Sequence, residues 1–157
     1  SILSINKRNK NFHSRYSAKA RIYQYIIFNR ESFPTINKNR VWHIKKKINL
    51  KNLKRGAKFL VGKKDFSTFR ASSCSANNSI RTLEKINIVK KNNQISIEFR
   101  SRSFLQTQVR SMVGSLKYLG EGKWDLNKFK YVTLSKRREL CAPPAPPHGL
   151  FLKKVIY

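Results

Sequence analysis

Hydrophobic residues recur at helical spacing in the segment 104–120 (FLQTQVRSMVGSLKYLG). The i, i+4, i+7, i+11 and i+14 positions are all apolar, and they are Leu105, Val109, Met112, Leu116 and Leu119. One apolar face of this kind is typical of a helix that packs on a core. Gly120 follows the last apolar residue, where we expect the C-terminal cap. The pattern therefore predicts a central helix around which the chain is organised.

Arg110 is the exception within this stripe. At 3.6 residues per turn it falls on the edge of the apolar face. Its guanidinium must either reach water or meet a carboxylate, because a buried unpaired charge is very costly. In one interpretation the stem lies on the core and the charged head reaches solvent. In the other, Arg110 faces an acidic partner, and the rest of the chain favours this second interpretation.

A long strand is predicted over 20–29 (ARIYQYIIFN), because Tyr, Ile and Phe dominate the segment without a breaker. Both alternating faces carry apolar residues, which indicates a central strand covered on one side. We expect Arg21 and Tyr23 on the exposed face, where a ring beside a guanidinium can stack on a base and hold a phosphate. The alternative is that Tyr23 is a half-buried cross-strand packing partner.

The segment after this strand predicts a loop and then a helix. Residues 31–47 contain Pro34 and several Asn and read as a loop, with Trp42 as its anchor. Asn49 can cap a helix over 50–61, and Gly62 would end it. Four positions of that helix are expected to face the core: Leu50, Leu53, Ala57 and Leu60.

The middle of the chain predicts a loop and a hairpin. Residues 63–78 lack either periodicity and suit a surface loop over Phe66 and Phe69. Residues 81–90 and 94–100 alternate apolar and polar positions around an Asn-Asn pair, which tolerates the positive φ of a tight turn.

The C-terminal part predicts a helix and a closing strand. Asp125 can cap the helix, with three positions facing inward: Leu126, Phe129 and Leu134. The segment 141–148 (CAPPAPPH) has four prolines in eight residues and must be extended and stiff. Residues 149–157 then form a strand. The element order predicts an α+β domain over 12–157, an antiparallel or mixed sheet with helices packed on one face, after a basic lead-in over 1–11.

Charge narrows the class of partner. The 35 Lys and Arg against 7 Asp and Glu give a formal charge of +28. Abundant Lys, Asn and Ile are typical of AT-rich genomes, but 7 acids leave most cations without a partner inside the protein. Such a surface favours a polyanion, and we expect nucleic acid. An anionic membrane is less favoured, because no basic amphipathic helix stands out and no run approaches the ~18 apolar residues of a span.

Cysteine and histidine give no sign of a metal site. Cys74 and Cys141 lie far apart without CxxC spacing and are expected to be reduced thiols. The three histidines form no HxxxH or Cys/His cluster.

The sequence begins at Ser1, without Met or an apolar signal segment, so we expect a piece of a longer protein.

Four separated segments carry a resemblance in register. They are 12–29 (FHSRYSAKARIYQYIIFN), 63–75 (KKDFSTFRASSCS), 104–122 (FLQTQVRSMVGSLKYLGEG) and 145–157 (APPHGLFLKKVIY). In this order and spacing they resemble the C-terminal half of the tRNA pseudouridine synthase A family. The resemblance implies an enzyme that needs no cofactor or metal and that isomerises uridine in the anticodon stem–loop of tRNA. Such enzymes flip the base out and attack the nucleoside with an aspartate.

The resemblance also implies roles for individual residues. Arg110 would pair with the nucleophilic Asp, lower its pKa and fix its aim. Tyr23 would stack on the flipped uracil and serve the final proton transfer, and Leu150 would wall the pocket. Contacts to the RNA backbone are assigned to three arginines: Arg15, Arg21 and Arg70. Family members are homodimers that share a tRNA, so a homodimer in the cytoplasm is expected, with an organelle as the alternative compartment.

The chain departs from the family at the nucleophile. The family's Arg-Thr-Asp-Ala-Gly segment is absent, and the only aspartates are Asp65, in a different matched block, and Asp125, a helix cap. We therefore expect this chain to be inactive alone. Milder departures are Ser14, Tyr16 and Gln108, the last where an apolar residue is common. The competing interpretations are a non-catalytic RNA-binding module, split or decayed, and a ribosomal-type structural protein, which the pocket-type residues disfavour.

Overall fold

The computed structural model describes Ile2 and residues 4–157. Ser1 and Leu3, in the predicted lead-in over 1–11, lie outside the described residues. The described residues of that lead-in form no helix or strand.

Six strands and three helices make up the described chain. The strands are β1 (Ala20–Asn29), β2 (Trp42–Ile44), β3 (Gly62–Asp65), β4 (Ile80–Lys91), β5 (Gln94–Ser101) and β6 (Leu150–Ile156). The helices are α1 (Leu50–Leu60), α2 (Gln108–Gly120) and α3 (Leu126–Leu134). Single 3-10 turns lie at Ser67–Phe69, Arg138–Leu140 and Pro147–Gly149.

Strand β1 is the centre of a single mixed sheet. The strand order is β2-β1-β5-β4-β3, and β6 also pairs with β1. Both β5 and β6 run antiparallel to β1, while β2 runs parallel to its C-terminal end. Along the edge opposite β5, β1 is therefore flanked first by β6 and then by β2. This architecture confirms the predicted α+β class.

The core lies between the sheet and the helices. Strand β1 contributes Tyr25 and Ile27, which are fully buried. From β5 and α2 the core receives Ile95, Ile97, Phe99, Met112, Val113 and Leu116. The five stripe positions predicted for the central helix are all buried, although Leu105 precedes the helix, which begins only at Gln108.

Several predicted boundaries are confirmed by hydrogen bonds. The Asn49 side chain accepts from the backbone N–H groups of Lys51 and Asn52 at the start of α1, and Gly62 follows that helix with φ +108°. The Asp125 carboxylate accepts from Lys128 N at 2.7 Å at the start of α3. The Asn-Asn turn of the hairpin is also present, with φ 52° at Asn92.

Other predictions were wrong. The predicted loops over 31–47 and 63–78 contain the short strands β2 and β3. Gly120 is the last residue of α2 and not its cap; the glycine with positive φ after that helix is Gly122, at +74°. Leu134 was expected to face inward but is 63% exposed.

The face assignment of β1 also needs correction. Arg21 and Tyr23 were expected on an open face of the sheet. Their face instead continues into the fully buried Tyr25 and Ile27, against which the helices pack. The side chain of Tyr23 is half-buried at the end of this covered face and packs on Phe104, with ring centroids 5.1 Å apart. Any pocket around Tyr23 therefore lies at the margin of the helix layer.

Candidate functional site

A cavity of about 610 Å³ opens where β1, β6 and the first turn of α2 meet. Four of the residues singled out from the sequence line it: Arg15, Tyr23, Arg110 and Leu150. They come from four separate parts of the chain. Leu150 comes close to Tyr23 because β6 pairs with β1. In this register Leu150 lies opposite Tyr25, and Leu152 lies opposite Tyr23. The fold thus assembles one pocket from residues up to 135 positions apart in the chain (15 to 150).

Arg110 lies in the first turn of α2 and is half-buried. Its Nε donates to the carbonyl of Ala145 at 2.6 Å, and Ala145 N donates back to the carbonyl of Arg110 at 3.0 Å. Within Ile2 and residues 4–157, no carboxylate lies within ion-pair distance of Arg110, and no hydrogen bond engages its terminal nitrogens. The guanidinium is therefore held through Nε, while its two terminal nitrogens can bind an incoming acceptor.

Tyr25 fixes the other side of the same turn. Its hydroxyl donates to the carbonyl of Pro146 at 2.7 Å. Burial raises the pKa of Tyr25, an effect that the charge of Arg110 partly offsets, so the phenol stays protonated and acts as a donor. Gly149 lies against this ring so closely that an added Cβ would be 2.8 Å from Tyr25 Cζ. These contacts set the position at which Leu150 enters the pocket wall.

Arg15 and Arg21, which were also predicted to contact RNA, differ in their exposure and in the cavities that they line. Arg15 is exposed and lines both the main cavity and an adjoining one of about 400 Å³. Arg21 lines only the adjoining cavity, and its terminal nitrogens donate to the carbonyls of Arg15 and Arg102. Arg21 therefore supports the backbone that presents Arg15.

Arg70 is absent from the described cavity lining. Its guanidinium donates to the carbonyls of Cys74 and Ala76, at 2.6 and 2.7 Å, and to Ser79 Oγ at 3.2 Å. The 74–76 segment that it fastens lines the cavity. In this structure Arg70 shapes the pocket through its wall, and its contact with RNA stays a prediction.

The sequence analysis gave no site role to seven polar residues of the lining: Cys74, Ser75, Arg81, Ser103, Gln106, Thr107 and Gln108. A backbone hydrogen bond at Ala76, together with Arg70, lowers the pKa of Cys74 against the opposing effect of burial. Gln108 is 1% exposed, and its Oε1 accepts from Leu105 N at 2.8 Å. Its position beside the apolar stripe was the one available signal. Among the described residues, Gln108 Nε2 and Arg81 Nε are buried without a hydrogen-bond partner.

The cavity is strongly basic. Arg15, Arg81 and Arg110 line it, and no carboxylate occurs in the part of its lining that the structure describes. Asp65 instead accepts from Ser67 N and Oγ and pairs with Lys136, and Asp125 caps α3. This arrangement can bind an anion and a planar ring but holds no nucleophilic acid of its own.

No cluster of three or more His, Cys, Asp or Glu among residues 2 and 4–157 is arranged to hold a metal ion. In the same described part of the chain, no helix is long and apolar enough to cross a membrane.

Comparison with known proteins gives consistent matches. A sequence model of the family described as "tRNA pseudouridine synthase" matches residues 57–157. The chain is 62% identical over 157 residues to tRNA pseudouridine synthase A of Pelagibacter ubique, and 42% identical over 157 residues to that of Bartonella tribocorum. It is 39% identical over 158 residues to that of Anaplasma marginale. Each match covers 100% of this chain and 64% of the relative, so the chain spans just under two thirds of the relatives' length.

Proposed function

Because this chain belongs to the tRNA pseudouridine synthase family, we propose that the full-length protein converts uridine to pseudouridine in the anticodon stem–loop of tRNA. This chain would supply one wall of the reaction pocket, and the part of the protein beyond it would supply the nucleophilic aspartate. The observation that carries the proposal is the convergence of Arg110, Tyr23 and Leu150 on one basic cavity.

The reaction is an isomerisation that needs no other reactant. The aspartate carboxylate attacks the nucleoside, and the N1–C1′ bond breaks with its electron pair going to uracil. The uracil then turns, C5 bonds to C1′ and the aspartate is released. Finally C5 loses its proton and N1 gains one, so atoms and charge balance. Tyr23 stacks on the uracil during the turn and serves the proton transfer at C5, while Leu150 closes the pocket.

Arg110 has the geometry that a partner of this aspartate requires. Its Nε is occupied by Ala145 at 2.6 Å, which fixes the plane of the guanidinium. The terminal nitrogens are left to receive a carboxylate, and an opposed guanidinium keeps a carboxylate ionised. The proposal explains why a cation is placed at the edge of a core helix.

The proposal extends to the partners of the protein. The charge of +28 supports tRNA as the polyanionic ligand. Arg15, Arg21 and Arg70 are proposed to serve RNA backbone binding, Arg15 by direct contact and Arg70 through the cavity wall. We further propose a homodimer that acts in the cytoplasm without a cofactor.

A second candidate function is RNA binding without turnover. The observation that favours it is the lack of a carboxylate in the described lining of the cavity. On this alternative the full-length protein binds tRNA, with log K falling by roughly 0.7–0.9 for each neutralised phosphate per tenfold rise in salt, and no pseudouridine forms.

Tritium release separates the two candidates. Full-length protein is incubated with tRNA labelled at C5 of uridine, because C5 loses its hydrogen only when pseudouridine forms. We expect release by the wild type and a loss of about 10²–10³-fold or more in Arg110→Ala, the range found when one charge-stabilising donor is removed. Arg100→Ala is the matched control, since Arg100 forms a surface ion pair with Glu84 outside the cavity lining. Normal turnover by Arg110→Ala would end the proposal.

A further inference from the structure

A second cavity, of about 320 Å³, lies at the edge of the sheet beside β2. Its lining includes Phe33 and Pro34 from the loop before β2, Trp42 and His43 from β2, and His148 from the turn before β6. Its volume falls at the lower end of the ~300–1,000 Å³ range of ligand pockets. None of these residues is used by the proposed reaction.

Aromatic rings make up part of the wall of this cavity: Phe33, Trp42, His43 and His148. Phe33 is 53% exposed and meets the ring of His43 edge-on, with centroids 5.3 Å apart. Trp42 meets Tyr25 edge-on at 6.2 Å, so Tyr25 holds it from the core side. Phe33 therefore presents ring surface that a ligand can contact. Rings of this kind form the platforms on which single-stranded bases stack.

The lining of this cavity carries a positive charge at Lys38, and no carboxylate belongs to that lining among residues 2 and 4–157. Lys117 Nζ also lies 5.6 Å from the centre of the Trp42 ring, but it is paired with Glu121 Oε2 at 3.0 Å. Lys38 is therefore the cation that can meet a phosphate. Cations beside aromatic rings match a base together with its phosphate, while an acidic or neutral ligand without a ring would leave the aromatic surfaces exposed.

The two cavities are joined by three consecutive residues. His148 lines the second cavity, Leu150 lines the first, and Gly149 between them packs on the Tyr25 ring. Strand β1 passes both cavities: Tyr23 lines the first, and Ile27 pairs with Trp42, which lines the second. Four residues at about 3.3 Å each put the cavities roughly 13 Å apart. A strand of RNA that enters the first cavity can therefore reach the second.

We propose that this second cavity binds an unpaired nucleobase of the same RNA strand whose uridine enters the first cavity. The inference rests on the proposed function for the identity of the RNA, but not for the stacking contact. The base stacks on the solvent-exposed part of the Phe33 ring, beside Trp42, and Lys38 neutralises its phosphate. The site would select tRNAs that present an accessible base near the target.

Tryptophan fluorescence gives a direct test, because the sequence contains two tryptophans, Trp42 and Trp124. Trp124 packs on Tyr118 and lines neither cavity. Any tryptophan in the part of the full-length protein beyond this chain is first replaced by phenylalanine. In that background, Trp124→Phe protein reports Trp42 alone, and Trp42→Phe protein reports Trp124 alone. Titration with a tRNA transcript should quench the first protein and leave the second unchanged. Equal quenching of the two proteins would overturn the proposal. So would unchanged Trp42 fluorescence when a gel shift shows that tRNA is bound, or quenching of Trp42 by inorganic phosphate alone.

Truncation of the exposed ring gives a second, independent test. Phe33→Ala in the full-length protein should raise the Kd for tRNA at least about fivefold, since a stacked base contributes ~1–3 kcal/mol. Ile36→Ala is the matched control, because Ile36 is in the same loop, is 94% exposed and is not part of the cavity lining. A wild-type Kd for Phe33→Ala in an enzyme that releases tritium would refute the base site alone. Absence of tritium release with Trp42 still quenched would refute the proposed function and leave the base site standing.

Discussion

Replacing Gly114 by alanine should destabilise the protein, although alanine is the better helix former. Gly114 lies within α2 and faces the proline-rich segment. A Cβ at this position would lie 2.1 Å from the carbonyl oxygen of Pro143, 3.2 Å from its carbonyl carbon and 3.4 Å from Ala145 N. All three atoms belong to the backbone, so no side-chain rotation can relieve the clash.

The expected magnitude follows from this geometry. Real Cβ contacts stay beyond 3.0 Å, so α2 and the proline segment must separate by about 1 Å. Overpacking of a core costs roughly 1–3 kcal/mol, and a backbone clash this close belongs at the upper end. Alanine returns ~1 kcal/mol through its helix propensity. The net loss of about 2 kcal/mol corresponds to a Tm about 4–8 °C lower for a protein of this size.

Thermal unfolding of the full-length protein, followed by circular dichroism, measures this effect. Gly56→Ala is the control, because its Cβ would meet Leu119 Cδ2 at 2.5 Å and Leu116 Cδ2 at 3.0 Å, the ends of flexible side chains. We expect a smaller loss there. Gly114→Ala should also lose tritium release at temperatures where it is folded, since Ala145 holds Arg110. A Tm at or above that of the wild type would refute the reasoning.

Three further predictions concern local hydrogen bonds and thiols. Asn49→Ala should lower the urea unfolding free energy by about 1 kcal/mol through loss of the α1 cap, and an unchanged midpoint would contradict this. Asp65→Ala should lower Tm at neutral pH but not in acid. Burial disfavours the charged carboxylate, yet hydrogen bonds from Ser67 bring the pKa of Asp65 below its usual value. The stability that the ionised carboxylate contributes is therefore lost as the pH falls through that pKa. A constant difference across pH would exclude this. Iodoacetamide should modify Cys74, whose pKa is lowered, before Cys141, whose pKa burial raises; peptide mass spectrometry reads the order, and tRNA should protect Cys74.

Long periodic segments made most of the fold predictable. Strand β1, the β4–β5 hairpin and the buried stripe of α2 each repeat a pattern over eight or more residues. The two short strands carry no such pattern, because β2 has 3 residues and β3 has 4. Each exists through pairing with a longer strand, which is a tertiary effect that periodicity cannot report.

The error on the faces of β1 has a related cause. Alternation divides the strand into two sets of residues, but it does not say which set the helices cover. Ile22, Ile26 and Phe28 looked like the core set and are instead half-exposed, while Tyr25 and Ile27 are fully buried. Arg21 and Tyr23 made their face look exposed, whereas the Tyr25 hydroxyl on the same face is satisfied by Pro146, 121 residues away in the chain.

The site was predictable only as far as the resemblance extended. It named Arg110, Tyr23 and Leu150, which the fold brings to one cavity. It also named Arg70, which instead fastens the cavity wall, because a basic residue in a matched segment does not reveal what its guanidinium contacts. Gln108 entered only as a departure from an apolar position, and its hydrogen bond to Leu105 N depends on the left-handed turn at Thr107, φ 66°.

The proline-rich segment connects these observations. Prolines lack an N–H and fix φ, so the segment joins no strand and is helical only in the single 3-10 turn that begins at Pro147. Its carbonyls remain free to accept hydrogen bonds. Two of them, at Ala145 and Pro146, accept from Arg110 and Tyr25. If the segment were flexible, breaking these contacts would release roughly 1–2 kcal/mol of backbone conformational entropy per residue. Prolines reduce this gain, because they restrict the segment even when the contacts are broken. The stiffness seen in the sequence therefore helps to hold the Arg110 guanidinium in the position from which, under the proposed function, it would bind the aspartate.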